Sequence, residues 1–319
     1  MSHEWILQCG VLYVPILCAA LLLALSREEA RHPVALLFAL TWQAAMVPVV
    51  DFFCQKLGFW SYGGTRWWVL DMPLAFHLGW VVWWGAVMPL LYECLVPHTG
   101  KIMAGMLVVA MALTIDLVGM PRLAPVLHLS KQWWLGEGLM CGLVLMPGIL
   151  LHQLTRHSIL PLCRGLMISF AFALLVLWVL PASTLESLPV LSEKRWIVFV
   201  VVLLLALLPG VWAVVLFGTV GQGTPIPFDP PQRLVTVGIY RWMANPMQTS
   251  ILLAMLVVAW FLSHTGLCIA ALSTWVYSIG IARWSESMDL TQRFGESWLA
   301  YRQRTPNWLP LRWRKRNDQ

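Results

Sequence analysis

Continuous apolar runs of about 18 to 25 residues recur along this 319-residue chain, each long enough to cross a hydrocarbon core as a helix. Inside lipid every backbone polar group needs an internal partner, which leaves helices and closed barrels as the spanning structures. A barrel would show segments of about 10 residues with alternating polarity, and the runs here do not alternate. Composition agrees: 59% of residues are hydrophobic and 11% charged, against about 25% charged in a soluble domain. The chain is therefore expected to be all-α, a polytopic transmembrane bundle that closes with a C-terminal amphipathic helix.

About nine spanning or near-spanning segments are predicted, at 4–26, 34–54, 70–95, 102–120, 137–154, 159–181, 196–220, 244–263 and 266–284. The break between the last two, Ser263 to Gly266, is short enough to make them a tight helical hairpin. The first run lacks a basic leader and a small-residue cleavage site, so it reads as a retained helix. With an odd number of spans, the 21 Lys and Arg divide 15 to 6 in favour of the C-terminal side. By the positive-inside rule this places the C-terminus in the cytoplasm, with an integral location expected in a bacterial inner membrane. The tail residues Arg312, Arg314, Lys315 and Arg316 read as a topology signal in contact with anionic lipid; nucleic acid is not an expected partner. The seven cysteines are scattered without a CxxC pair, so neither a disulfide framework nor a metal site is expected. Trp67-Trp68, Trp83-Trp84 and Trp133-Trp134 read as interfacial anchors, with a cofactor cage as the sharper alternative. The stretch Pro121 to Gly138 reads as a short amphipathic helix lying in the interface.

Two stretches are too polar to span lipid and too patterned to be linkers. Gly221 to Gln248 is stiffened by prolines at 225, 227, 230, 231 and 246. Gly238 permits a tight turn before Tyr240-Arg241, and Asn245-Pro246 is expected to cap and start the next helix. A helix start of this kind offers N–H groups and positive potential to a carboxylate or phosphate. The second stretch, Arg283 to Pro310, carries Glu286 and Asp289, then Phe294-Gly295, Trp298, Tyr301 and Arg302.

These two stretches, joined by the helical pair, resemble the isoprenylcysteine carboxyl methyltransferase and phospholipid methyltransferase superfamily over about residues 205 to 310. Tyr240, Arg241, Asn245, Pro246 and Gln248 match the family's first motif; Glu286, Leu290, Phe294, Gly295 and Tyr301 match its second. The resemblance implies a membrane enzyme that uses S-adenosylmethionine to methylate a lipophilic acceptor. It implies catalytic roles for Arg241 and Glu286. It also implies a cofactor site drawn from Gly238, Tyr240, Arg241, Asn245, Pro246, Gln248, Glu286 and Tyr301. Glu286 would pair with the cofactor's ammonium or ribose hydroxyls. Arg241 or the helix start would receive its carboxylate, and Tyr240, Trp242 or Trp298 would flank the sulfonium. The chain departs from the family pattern at four places. Ala244 stands where a basic residue is usual, Ser287 replaces a second acid, Gln248 stands where Tyr is frequent, and Asn245 replaces the commoner His.

Residues 196–319 are thus expected to form the methyltransferase-like domain, preceded by a helical region, 1–195, of unassigned role. That region carries Asp51, Asp71, His77, Glu93 and Asp116 in or beside apolar runs. Asp51, Asp71 and His77 read either as hydrated groups near the outer interface or as a site. Asp116 lies deep enough to require a polar partner inside the bundle. Two other function classes stay open: an NADPH-dependent membrane reductase of the sterol-reductase kind, and a non-enzymatic lipid-binding or transport protein.

Overall fold

The computed structural model describes residues 3–25, 32–63, 68–184, 192–225, 230–278 and 283–308; side chains at 3, 68, 184, 277 and 283–287 are outside this description. The basic tail, Trp67 and part of the proline-rich stretch (226–229) also lie outside it.

The architecture is an all-α polytopic bundle. Seven helices are long and apolar enough to span: α1 (Glu4–Leu25), α2 (Pro33–Lys56), α3 (Leu74–Thr99), α4 (Lys101–Leu123), α5 (Trp133–Arg156), α6 (Pro161–Ser183) and α7 (Glu193–Gly221). The eighth and ninth apolar segments form shorter helices, α8 (Pro246–Leu262) and α9 (Thr265–Tyr277). At 1.5 Å rise per residue, the 17 residues of α8 reach about 25 Å, short of a hydrocarbon core of about 30 Å. The expected hairpin between them forms: Ser263 turns left-handed at φ 54°, and the His264 side chain caps α9 by accepting from Leu267 N. The polar helix α10 (Arg283–Arg304) follows.

Prolines shape the long helices in a regular way. Stretches 83–87, 141–145 and 175–179 are widened to i→i+5 turns, and Pro89, Pro147 and Pro181 each stand two residues beyond one of them. A proline inside a helix removes an N–H and presses its ring on the carbonyl four residues back. That carbonyl falls inside the widened turn in all three cases, so the extra residue relieves the clash without ending the helix.

The chain divides into two compact units: residues 1–159 with 170–186, and residues 160–169 with 187–319. In the first unit the connections after α2 and α4 meet as a short antiparallel ladder, β1 (Trp60–Tyr62) on β4 (Leu127–Leu129). A second ladder, β2 (Trp68–Val69) on β3 (Met72–Pro73), turns through Leu70 and exposed Asp71, both at positive φ. The stretch expected as an interfacial amphipathic helix is thus a short 3₁₀ turn, β4 and the start of α5; pairing with β1 satisfies its backbone instead. Beneath the ladder lies the main core, built around Phe76, Trp84, Met88, Leu127 and Leu145. Trp84, expected as an interfacial anchor, is fully buried here.

Two polar groups that the sequence left as either hydrated interfacial groups or a site are buried. Asp51 is buried and accepts three hydrogen bonds, from Gln55 (2.7 Å), Trp60 Nε1 (2.8 Å) and the Tyr62 hydroxyl (2.8 Å). His77 is buried with Nε2 3.0 Å from the Ala44 carbonyl. At the opposite end of the helices, buried Glu93 forms an ion pair with Arg156 and accepts from Gln153 Nε2 at 2.7 Å.

Candidate functional site

The second unit holds both patterned stretches, and its local structure follows from their glycines and prolines. α7 ends in a widened turn at 217–221, and Gln222 leaves it left-handed at φ 57°. The chain then folds back: Gln232 N and Arg233 N both donate to Gly221 O, at 2.8 and 3.2 Å. This return is tight, since a Cβ on Gly223 would stand 2.5 Å from Pro231 Cα.

The first motif sits on a 3₁₀ turn, Gly238–Arg241. Gly238 begins it at φ +58°, a backbone conformation that calls for glycine, and a Cβ there would meet the end of the Leu216 side chain at 2.7 Å. The turn buries Tyr240, whose ring stacks on Phe217 with centroids 5.3 Å apart. Arg241 and Trp242 are exposed, one residue apart, at the end of the turn. Asn245 and Pro246 begin α8, with Pro246 in its first turn. The expected side-chain cap is absent: the Asn245 side chain makes no capping bond. Its backbone N–H instead donates to Asn307 O at 3.0 Å, and the neighbouring Ala244 N–H donates to Pro306 O at 2.9 Å. Two donors just ahead of the helix are therefore taken by the chain that follows α10. Gln248 lies in the first turn of α8, partly buried.

The second motif closes on the first. Gly295 interrupts α10 at φ 53°, ψ −129°, a conformation open only to glycine, and so bends the helix after Phe294. Beyond the bend Trp298 and Tyr301 are buried and pack side by side, centroids 5.7 Å apart. The Tyr301 hydroxyl donates to the Tyr240 carbonyl at 2.8 Å. Burial pushes the Tyr301 phenol up to about 12, so it remains a donor. Val235, Ile239, Tyr240, Trp298 and Tyr301 form one apolar cluster, with Leu290, Phe294, Met243 and Met247 against it. Two arginines brace the arrangement. Arg293 donates to Pro231 O at 2.6 Å, and Arg302 lies over the Trp298 ring while bonding the Asn307 side chain.

The structure thus brings Gly238, Tyr240, Arg241, Asn245, Pro246, Gln248 and Tyr301 into one region of the second unit. Tyr240, Tyr301 and Trp298 are parts of its packed core, whereas Arg241 and Trp242 face outward from it. The side chain of Glu286 lies outside the described residues, although the helix that carries it is described. Two contributors were not anticipated, Phe217 and Arg293; the segment 305–308 lies in the stretch Arg283 to Pro310, but its pairing with the start of α8 was not foreseen. Arg293 directly precedes Phe294-Gly295, and that adjacency is a sequence signal for its bracing role. Segment 305–308 gives no such signal for its pairing with the start of α8, because that pairing runs through its backbone.

Among known protein families, the phospholipid methyltransferase model matches residues 195–297, which run from α7 through the helical pair to the bend in α10. The resemblance carried by the two motifs is therefore borne out at the level of family for the C-terminal part of the chain. No curated protein and no solved structure matches the chain.

Proposed function

We propose that this protein is an integral membrane methyltransferase that uses S-adenosylmethionine and acts on a lipophilic acceptor of the isoprenoid, carboxylate or phospholipid-like kind. The observation that carries the proposal is the convergence of the two motif segments in one packed cluster, joined by the bond from Tyr301 to the Tyr240 carbonyl. A motif pair that merely set topology would have no reason to be tied together in this way.

The residues present fit the donor by charge. Arg241 is exposed beside the turn and makes no ion pair among the described residues, so its guanidinium is available for a carboxylate. Five residues later α8 begins, and its N-terminal end adds positive potential. Glu286, on the first turn of α10, is the acid that this reading assigns to the ammonium or ribose hydroxyls. Gly238, Tyr240, Asn245, Pro246, Gln248 and Tyr301 form or frame the backbone on which these charges are mounted. S-adenosylmethionine, when bound, supplies a methyl group on a sulfonium that is already a good leaving group. The protein's part is then to orient acceptor and donor in line and to exclude water, effects worth several kcal/mol when the geometry is rigid. The packed cluster under Tyr240 supplies that rigidity. The C-terminus and the site are assigned to the cytoplasmic side, where the donor is made.

Membranes containing the protein are to be incubated with methyl-labelled S-adenosylmethionine and the lipids extracted. Label should enter the organic phase and be lost in Arg241→Ala and in Glu286→Ala, each recovered at normal levels in the membrane. Absence of lipid label from the unaltered protein, with NADPH consumed instead, would replace this reading by the reductase.

A further inference from the structure

The first unit has a site that the methyltransferase reading does not use. Asp116 on α4, Glu137 on α5 and Trp84 on α3 meet in its interior, at exposures of 6%, 3% and 0%. The Asp116 carboxyl lies beside the Glu137 carboxyl and near the Trp84 indole. Asp116 Oδ2, Glu137 Oε1 and Trp84 Nε1 are buried and make no hydrogen bond among the described residues. The two carboxylate oxygens are both acceptors. Two ionised carboxyls side by side repel, and in a low-dielectric interior the cost is large.

The surrounding groups show how that cost is met. Cys141 lies near both acids, Cys54 lies near Glu137 and Asp51, and Tyr62 lies near Asp51, Cys54 and Glu137. None of these is a cation, so among the described residues no Lys, Arg or His neutralises the pair in the way that Arg156 neutralises Glu93. A bound metal ion is also a poor fit. A hard cation wants a shell of oxygens, whereas the neighbours here are an indole N–H and thiols, and the described residues hold no group of three or more metal-ligating side chains.

We propose that Asp116 and Glu137 bind one proton between them, as a carboxylic acid–carboxylate pair beside the Trp84 indole. The proton converts a repulsive contact between acceptors into a short charge-assisted hydrogen bond, and the remaining negative charge spreads over the pair. Acidic groups inside membrane bundles commonly mark proton sites. Polar groups also lead away from this one. Glu137, Cys54, Asp51 and Tyr62 run from the pair to the β1–β4 end of the unit, where Tyr62 is partly exposed. That end is the route by which the proton exchanges with solvent. The site stands independently of the methyltransferase assignment.

Infrared spectroscopy of the full-length protein, reconstituted in lipid at neutral pH, tests the proposal. The spectrum should contain the carbonyl stretch of a protonated carboxylic acid, displaced when the solvent is changed to D2O. Asp116→Asn and Glu137→Gln should each abolish that band, because an amide donates to the remaining carboxylate without a proton. If either amide variant fails to fold, the unaltered protein is labelled at the side-chain carboxyl carbon, first in aspartate and then in glutamate. The band must shift with one of these labels. No band in the unaltered protein, a band that survives both amide variants, or a band unmoved by both labels overturns the proposal. So does a band that disappears on adding sodium at constant pH, which would make the ligand an alkali cation.

Discussion

Replacing Tyr301 by Phe isolates the tie between the two motifs, because it deletes one oxygen and leaves the ring. The lost group donates to the Tyr240 carbonyl at 2.8 Å in a buried setting, with Tyr301 9% and Tyr240 5% exposed. An acceptor left without its donor in such a place costs about 1–3 kcal/mol. At roughly 2–4 °C per kcal/mol for a chain portion of about 150 residues, the second unit should melt about 2–12 °C lower. Intrinsic tryptophan fluorescence during heating in detergent reads this directly, since Trp298 is in the same cluster. The pH profile supplies an independent check. The Tyr301 phenol is raised from 10.0 to about 12, so the folded state holds its proton more tightly than the unfolded chain. Its stabilisation is full below pH 10 and is lost as the pH climbs to about 12. Unaltered protein should therefore lose stability across that window, and Tyr301→Phe should lose less. A variant that melts within a degree of the parent, with the same alkaline slope, would refute the reasoning that this hydroxyl joins the motifs.

Three further outcomes follow from the geometry. Asp51→Ala leaves Trp60 Nε1 and the Tyr62 hydroxyl without their acceptor, at about 1–3 kcal/mol each; a lowered melting temperature of the first unit, read by the same fluorescence, checks it. Arg156→Ala strands buried Glu93 and should destabilise by about 3–5 kcal/mol, whereas Glu93→Ala combined with Arg156→Ala should recover part of the loss, which a double-mutant thermal cycle measures. Gly238→Ala forces a side chain onto φ +58° and against Leu216, costing about 1–3 kcal/mol; it should also weaken S-adenosylmethionine binding, because the turn that presents Arg241 is displaced.

The spanning helices were legible because hydropathy depends on each segment alone: a run of 20 apolar residues declares its environment whatever it packs against. The two motifs were legible for a different reason. Their residue types recur at fixed offsets, and Gly238 and Gly295 sit where the backbone takes positive φ. Pairings between distant elements were not legible. Asp51 and Trp60 are 9 residues apart, but only the β1–β4 ladder explains why the indole turns back to the carboxylate. Asp116 called for a polar partner, and nothing in the local pattern of Glu137 marks it as that partner rather than any other acid. Asn245 has the composition of a cap, yet its side chain is not used as one, because the chain at 306–307 meets the backbone there first. The prolines at 89, 147 and 181 were visible, whereas the widened turns that accommodate them emerge only with the helices drawn.

The central claim is that the second unit binds S-adenosylmethionine through Arg241 and Glu286. Equilibrium binding of labelled S-adenosylmethionine to the purified full-length protein in detergent tests it most directly. Saturable binding near one molecule per chain is predicted, lost in Arg241→Ala and Glu286→Ala, kept in Asp116→Asn, and not displaced by NADPH. Absence of saturable binding by well-folded protein, or binding that both site variants retain, would contradict it.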